Sequence, residues 1–249
     1  MSNDCYLSFC PVAKACELLE PRWTLLVLCE LFSGATRFNE IHRGVPGMSP
    51  SLLSRRLKEM QTNGLVTRTV KASGGEISYG LTAMAEELRP VVFALGKWAH
   101  RNVDRDVTLD HLDTRLLMWN VRRKADVARM PPARQWVVQF QFPAQKPDER
   151  DFWLVAKHGT PTDLCTLDPG QNVDLFVQAD LRAMTSVFLG YTKLAGELDR
   201  GTIQLTGERG LASSMVDWFV QRFTLHRATF RLCSAALHFL QYPQDDPPW

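Results

Sequence analysis

The stretch MSPSLLSRRLKEMQTNGL, residues 48–65, decides how the first part of this chain folds. Ser49 is a good helix N-cap, and Pro50 suits the first turn, where a missing N–H is tolerated. Leu53, Leu57 and Met60 follow at i, i+4, i+7 and mark a buried stripe. That spacing turns Ser51, Ser54, Arg55 and Lys58 outward and leaves Arg56 on the flank. Asn63-Gly64 closes the helix. An exposed face of this kind is either a solvated surface or one that reads a partner, and only the surrounding sequence separates the two.

Upstream, Cys10-Pro11 opens a short helix with Cys10 at the N-cap and with Val12, Cys16 and Leu19 at helical spacing. Pro21 starts a second helix, RWTLLVLCELF, apolar nearly all round and so buried. It ends at Ser33-Gly34. TRFNEIHRGV gives a third short helix with Phe38 and Ile41 inward, and Pro46-Gly47 breaks the chain before the opening stretch. Downstream, LVTRTVK and EISYGL, joined by Ala72-Ser73-Gly74-Gly75, read as a hairpin. Thr82 then caps one long helix whose apolar stripe is Leu88, Val91, Val92, Leu95, Trp98 and Ala99. Three helices, a turn, a fourth helix, a hairpin and a helix describe a winged helix-turn-helix, in which the helix after the turn enters the major groove.

Bulk properties fit a globular protein of one or two domains: 249 residues, 45% hydrophobic and 22% charged. No apolar run is long enough to cross a membrane, and the first residues show no secretory pattern. The six cysteines form neither a CxxC pair nor a disulfide framework, which places the chain in a reducing cytoplasm. The net charge of +2 divides unevenly, with 12 Lys+Arg against 9 Asp+Glu in residues 1–102 and 17 against 18 beyond. An excess of that size carries no argument for nucleic acid by itself.

The segment running from Cys10 to Arg68 resembles the HxlR family of bacterial winged-helix transcriptional regulators. The likeness rests on the Cys-Pro start, WTLLVL, RFNEI, GMSPSLLSRRLKEM, NGLV and YGLT, in register over about residues 10–100. It departs at Glu20-Pro21-Arg22-Trp23, where Gly-Gly-Lys-Trp is usual, and at Ser73-Gly74-Gly75, where the wing tip usually carries proline. The resemblance implies that Ser49, Ser51, Ser54 and Arg55 face a DNA groove. Arg can bond guanine O6 and N7 in bidentate fashion. Arg56, Lys58, Arg37 and Lys71 would lie nearer phosphates, which position without specifying sequence. Pairing through the first and last helices of this domain is implied as well, giving a homodimer on an inverted-repeat operator. A thiol at a helix N-terminus favours thiolate, which makes Cys10 a candidate redox sensor with Cys5 as its resolving partner. Several members of the family use this cysteine so; in others the Cys-Pro pair is only a cap.

Residues 101–112 are polar and read as a linker. Beyond it, LDTRLLMWNVRRKAD reads as a helix, and QWVVQFQF, DFWLVAKH and VDLFVQA as strands. DLRAMTSVFLGYTKLAGELDRG gives one or two helices, TIQLTG a strand, and ERGLASSMVDWFVQRF a helix. Strands followed by helices describe an α+β domain over residues 112–235, with a tail at 236–249. DLFVQADLRAMTSVFLG followed by GTIQLTGERGLASSM is similar to sterol carrier protein type 2-like domains. That likeness implies an apolar cavity between a sheet and its helices, with Trp136, Phe140, Trp153, Phe176, Met184, Phe188 and Trp218 as candidate lining. Each of these residues is equally readable as plain core.

Catalysis finds no support. The histidines stand in no zinc-like spacing, and no GxSxG, phosphate loop or dinucleotide fingerprint occurs. Asp180 and Glu208 read as helix starts. The expectation is therefore a cytoplasmic regulator without cofactor or metal, built as a mainly α winged helix-turn-helix domain followed by an α+β sterol-carrier-like domain. It would bind a double-stranded DNA operator as a homodimer, with repression by blocking polymerase as the default mechanism, under control of a thiol-reactive signal or an apolar small-molecule ligand. The competing reading is a carrier of apolar ligands whose first domain only dimerises.

Overall fold

The computed structural model describes residues 6–70, 75–133 and 135–219. Its first half contains α1 (Pro11–Leu19), α2 (Thr24–Phe32), α3 (Phe38–Gly44), α4 (Pro50–Thr62), β1 (Val66–Val70), β2 (Ile77–Leu81), α5 (Ala83–Glu87), α6 (Arg89–Asn102) and the single turn α7 (Arg105–Thr108). The order is that of a winged helix-turn-helix. Val27, Leu28, Ile41, Leu53, Leu57 and Leu65 are at most 1% exposed and centre its core.

Two expected boundaries move, each for a local reason. Pro21 does not start the second helix; residues 21–23 form a turn in which the N–H and hydroxyl of Thr24 both donate to the Pro21 carbonyl. Trp23 takes a left-handed φ of 84° there, and α2 begins one residue later. The long helix capped by Thr82 is two helices, α5 and α6, meeting at Leu88. Pro90 supplies no backbone N–H and crowds the residue before it, so the hydrogen-bond ladder restarts.

The second half contains α8 (Thr114–Lys124), β3 (Trp136–Gln141), β4 (Asp151–Ala156), β5 (Asp163–Cys165), β6 (Leu175–Ala179), α9 (Leu181–Phe188), α10 (Leu194–Asp199), β7 (Ile203–Gly207), α11 (Arg209–Ser213) and α12 (Met215–Trp218). The sheet order is β5-β4-β3-β6-β7, with β3 and β6 parallel and the other pairs antiparallel. Val138, Phe140, Phe152, Leu154, Leu175 and Val177 form one buried face of this sheet. Leu117, Met118 and Val121 of α8 and Met184 and Val187 of α9 belong to the same core. The expected end of this domain and the tail, from residue 220 onward, lie outside the described residues.

The expected linker is docked rather than free. Arg182 of α9 donates to the Leu109 carbonyl at 3.0 Å and pairs with Asp106. Tyr191 stacks on His100 at 4.9 Å between ring centroids and faces the Arg105 guanidinium at 5.3 Å.

A second contact is buried. Glu30 of α2 is 6% exposed, in a helix otherwise apolar. Its carboxylate accepts two hydrogen bonds from Arg123 of α8, at 2.7 and 3.1 Å, and one from Trp119 Nε1 at 3.2 Å. A buried charge that loses its partner costs far more than the pair contributes, whereas replacing both partners by apolar groups is often neutral. Arg123→Met should therefore lower unfolding free energy by about 3–5 kcal/mol. Glu30→Met combined with Arg123→Met should recover most of that loss, short of about 1 kcal/mol for the orphaned Trp119 N–H. Urea denaturation of the three proteins checks both; equal losses in the single and double variants would count against a paired buried charge.

Candidate DNA-binding surface

The surface around α4 follows from how that helix is anchored. Ser49 Oγ accepts from Leu52 N–H at 3.3 Å, and Leu53, Leu57 and Met60 are 0–2% exposed. The stripe expected from the sequence is thus the buried one. Ser51, Ser54, Arg55 and Lys58 are exposed on the opposite side. The Arg55 side chain is 69% exposed and makes only a long 3.9 Å ion pair with Glu59.

Arg56 corrects the sequence reading. Its side chain is 13% exposed and its guanidinium pairs with Glu59. It points into a cleft between α1 and α4 that Tyr6, Glu17, Glu20 and Thr24 also line. The Arg56 side chain is thus largely shut from solvent and paired within its own helix, whereas Arg55 is open.

The turn that sets the angle between α3 and α4 is held from several sides. Val45 and Met48 are 2% and 1% exposed. Their N–H groups donate to the His42 and Val45 carbonyls at 3.1 and 2.9 Å. His42 Nε2 lies 2.8 Å from the Met48 carbonyl, and its ring stacks on Phe38. Trp23 covers Gly47, where an added Cβ would stand 3.1 Å from the indole. His42 was absent from the residues expected to matter; its signal was only a histidine eight residues before the helix start.

Arg37 caps α3 from outside the helix and pairs with Glu76 at the entry to β2. Glu40 Oε2 accepts from the N–H groups of Thr36 and Arg37, at 2.9 and 3.1 Å. Burial pushes the Glu40 carboxyl up, but those N–H groups and the charges of Arg37 and Arg122 outweigh it and leave it below its ordinary value. The wing joins the same point: Tyr79 N–H donates to the Thr36 carbonyl at 2.7 Å. Lys71, the expected wing cation, lies outside the described residues. Arg68, exposed on β1 opposite Tyr79, is a wing cation that the sequence reading passed over.

Cys10 is exposed at the N-cap of α1, and Cys5 lies outside the described residues. The N–H groups of Ala13 and Val12 face the Cys10 sulfur and lower its pKa, outweighing a small opposing effect of desolvation. Burial raises the thiols of Cys29 and Cys165. Apolar side chains are left open nearby in the sequence and on α6: Phe9 is 100% exposed, Val12 69%, Val91 59% and Trp98 55%.

The expected cavity lining in the second domain divides between two faces of the sheet. Phe140, Met184, Phe188 and Trp218 are at most 3% exposed in one core, where Phe140, Phe188 and Trp218 lie 5.7–6.0 Å from the Phe219 ring. Trp136 packs on its rim and donates to the Pro131 carbonyl at 2.8 Å. Trp153 and Phe176 stand on the other face, because both pair with Gln139 rather than with Phe140. Side chains alternate along a strand, so neither can line a cavity with Phe140. Among the described residues no group of three or more His, Cys, Asp or Glu could hold a metal ion. No helix among them is long and apolar enough to cross a membrane.

Comparison with known proteins bears on the first domain. The HxlR-like helix-turn-helix family matches residues 18–107. An uncharacterized HTH-type transcriptional regulator of Bacillus subtilis, YvaP, is 37% identical over 97 residues, spanning 38% of this chain and 90% of that protein. The uncharacterized HTH-type transcriptional regulator sll1512 of Synechocystis is 36% identical over 89 residues, 35% of this chain and 66% of that protein. Among solved structures, the reduced form of the transcriptional regulator YodB from B. subtilis is 32% identical, with a TM-score of 0.35 over 39% of this chain and 97% of that one.

Proposed function

We propose, given that the chain belongs to the HxlR-like helix-turn-helix family of transcriptional regulators, that it is a cytoplasmic repressor which binds an inverted-repeat operator as a homodimer. The observation that carries the reading is α4: three buried apolar residues fix it, and Ser51, Ser54, Arg55 and Lys58 are exposed on its outer side. Arg55 reads a base, while Lys58, Arg68, Arg37 and Lys71 meet phosphates, with Ser49 at the helix start. The first domain takes residues 1–102 and the second 112–235. Open apolar residues on α1 and α6 support pairing through those helices, since a large exposed apolar surface usually marks an interface. The carrier reading, with a first domain that only dimerises, leaves the exposed cations of α4 without a role.

Signals enter at two places in this reading. An apolar ligand would lie in the second domain between the sheet and α9, and a sheet covered by helices supports the sterol-carrier likeness there. A thiol-reactive signal would act at Cys10, with Cys5 as resolving partner. Either signal works only by binding or reacting better with one state of the dimer than the other.

DNA binding is tested by gel shift with the DNA upstream of the protein's own gene, at several salt concentrations. Arg55→Ala should relax base preference at one position by about 1–3 kcal/mol. Lys58→Ala should weaken all sequences alike and reduce the salt slope by about 1. Unchanged preference in the Arg55 variant removes it from the readout. For the thiol, iodoacetamide at neutral pH should label Cys10 ahead of Cys16, Cys29 and Cys165, as mapped by mass spectrometry, because its lowered pKa gives more thiolate. Labelling at equal rates would sink the sensor role.

A further inference from the structure

We propose that Arg123 and Trp119, which belong to the second domain, are positioning residues for the recognition helix α4. They close on Glu30 of α2, whose carboxylate lies against Gly44 at the end of α3, and so fix the turn from which α4 starts. The proposal rests on the DNA-binding reading above.

The geometry begins at Gly44, the last residue of α3. A Cβ there would fall 1.8 Å from Glu30 Cδ, so the bare Cα provides the space that the carboxylate occupies. Arg123 holds that carboxylate with two hydrogen bonds and Trp119 with a third. The neighbouring Arg43 lies over the other part of the contact, its guanidinium 5.5 Å from the Trp119 ring centroid. Of the last two residues of α3, Arg43 therefore rests on α8 directly and Gly44 rests on the carboxylate that α8 holds. The next residue, Val45, opens the buried turn that His42 ties to the Met48 carbonyl at 2.8 Å, immediately before the α4 N-cap. A displacement of the α3 end cannot be absorbed in this turn without breaking those bonds.

The two faces of α8 serve different domains. Trp119 and Arg123 are four residues apart and share one side of the helix. Leu117, Met118 and Val121 project from the opposite side into the core that contains the sheet. One rigid helix thus has the second core on one face and the support of α3 on the other. Repacking of that core shifts α8, and α8 moves the charge on which α3 is seated. The Arg123 side chain is 10% exposed and its two terminal nitrogens donate to Glu30 and Asn120, which leaves it no role as a phosphate contact.

The test uses the full chain and a duplex selected from a random-sequence pool by the wild-type protein. Arg123→Gln should weaken binding about tenfold, within the range of coupling between sites. The slope of log K against log salt should stay unchanged, because no phosphate contact is lost. Arg123→Lys, which keeps the charge, should recover part of the affinity. Hydrogen exchange of the Val45 and Met48 amides, measured without DNA, should be severalfold faster in Arg123→Gln than in wild type. Trp119→Phe keeps an aromatic ring beside Arg123 but removes the hydrogen bond to Glu30 and part of the indole volume, so it should show the same two effects in weaker form even if Arg123→Gln does not fold. Unchanged exchange at Val45 and Met48 overturns the proposal, as does faster exchange with unaltered DNA affinity. A shallower salt slope overturns it too, by making Arg123 a phosphate contact. If the wild-type protein selects no duplex, the DNA-binding reading fails, while exchange still decides whether α8 holds the turn.

Discussion

One buried carboxylate ties the two halves of this molecule together. Glu30 sits in a helix that is otherwise apolar, and a charge in that place has to be matched by other charged or hydrogen-bonding groups. Its partners come from α8, about ninety residues further along the chain, so the first domain is electrostatically complete only with the second docked against it. A second contact joins Arg182 and Tyr191 to the end of α6 and the segment after it. The end of α3 lies between its own core, through Ile41, and α8, through Arg43 on Trp119.

From α3 the constraint passes to the functional face. The turn after α3 is buried and hydrogen-bonded, and α4 follows it with Leu53, Leu57 and Met60 set into the core. Arg56 is largely buried and paired with Glu59, leaving Arg55 and Lys58 as the exposed cations of the helix. The adjacent arginines thus have different tasks, one internal and one external. The wing is joined to the same frame through Thr36 and Arg37 at the start of α3.

Most of the first domain was legible because its signals are local. The stripe of α4, the caps at Ser49 and Thr82, and the pairing of β1 with β2 all depend on neighbours close in the sequence. What failed was of longer range. The burial of Arg56 depends on residues beyond its own helix that line the same cleft. The break at Leu88 was written in Pro90, but the strong apolar periodicity on either side masked it. Trp153 and Phe176 were grouped with Phe140 as aromatic residues of strands, although only strand register decides which face each one takes. Three-residue β5 is too short to carry a periodic signal. Glu30 was visible as an acid in an apolar helix, yet nothing in the sequence pointed from it to Arg123.

The central claim is that α4 presents its outer face to DNA as one of a symmetric pair. Selection from a random-sequence pool by the wild-type protein, followed by sequencing of the bound duplexes, tests it most directly. A two-fold dimer should enrich inverted repeats whose half-site centres lie about 10 base pairs, roughly 34 Å, apart or at a multiple of that spacing. Enrichment of single or directly repeated half-sites would contradict the symmetric pair, and no enrichment at all would contradict the recognition role of α4.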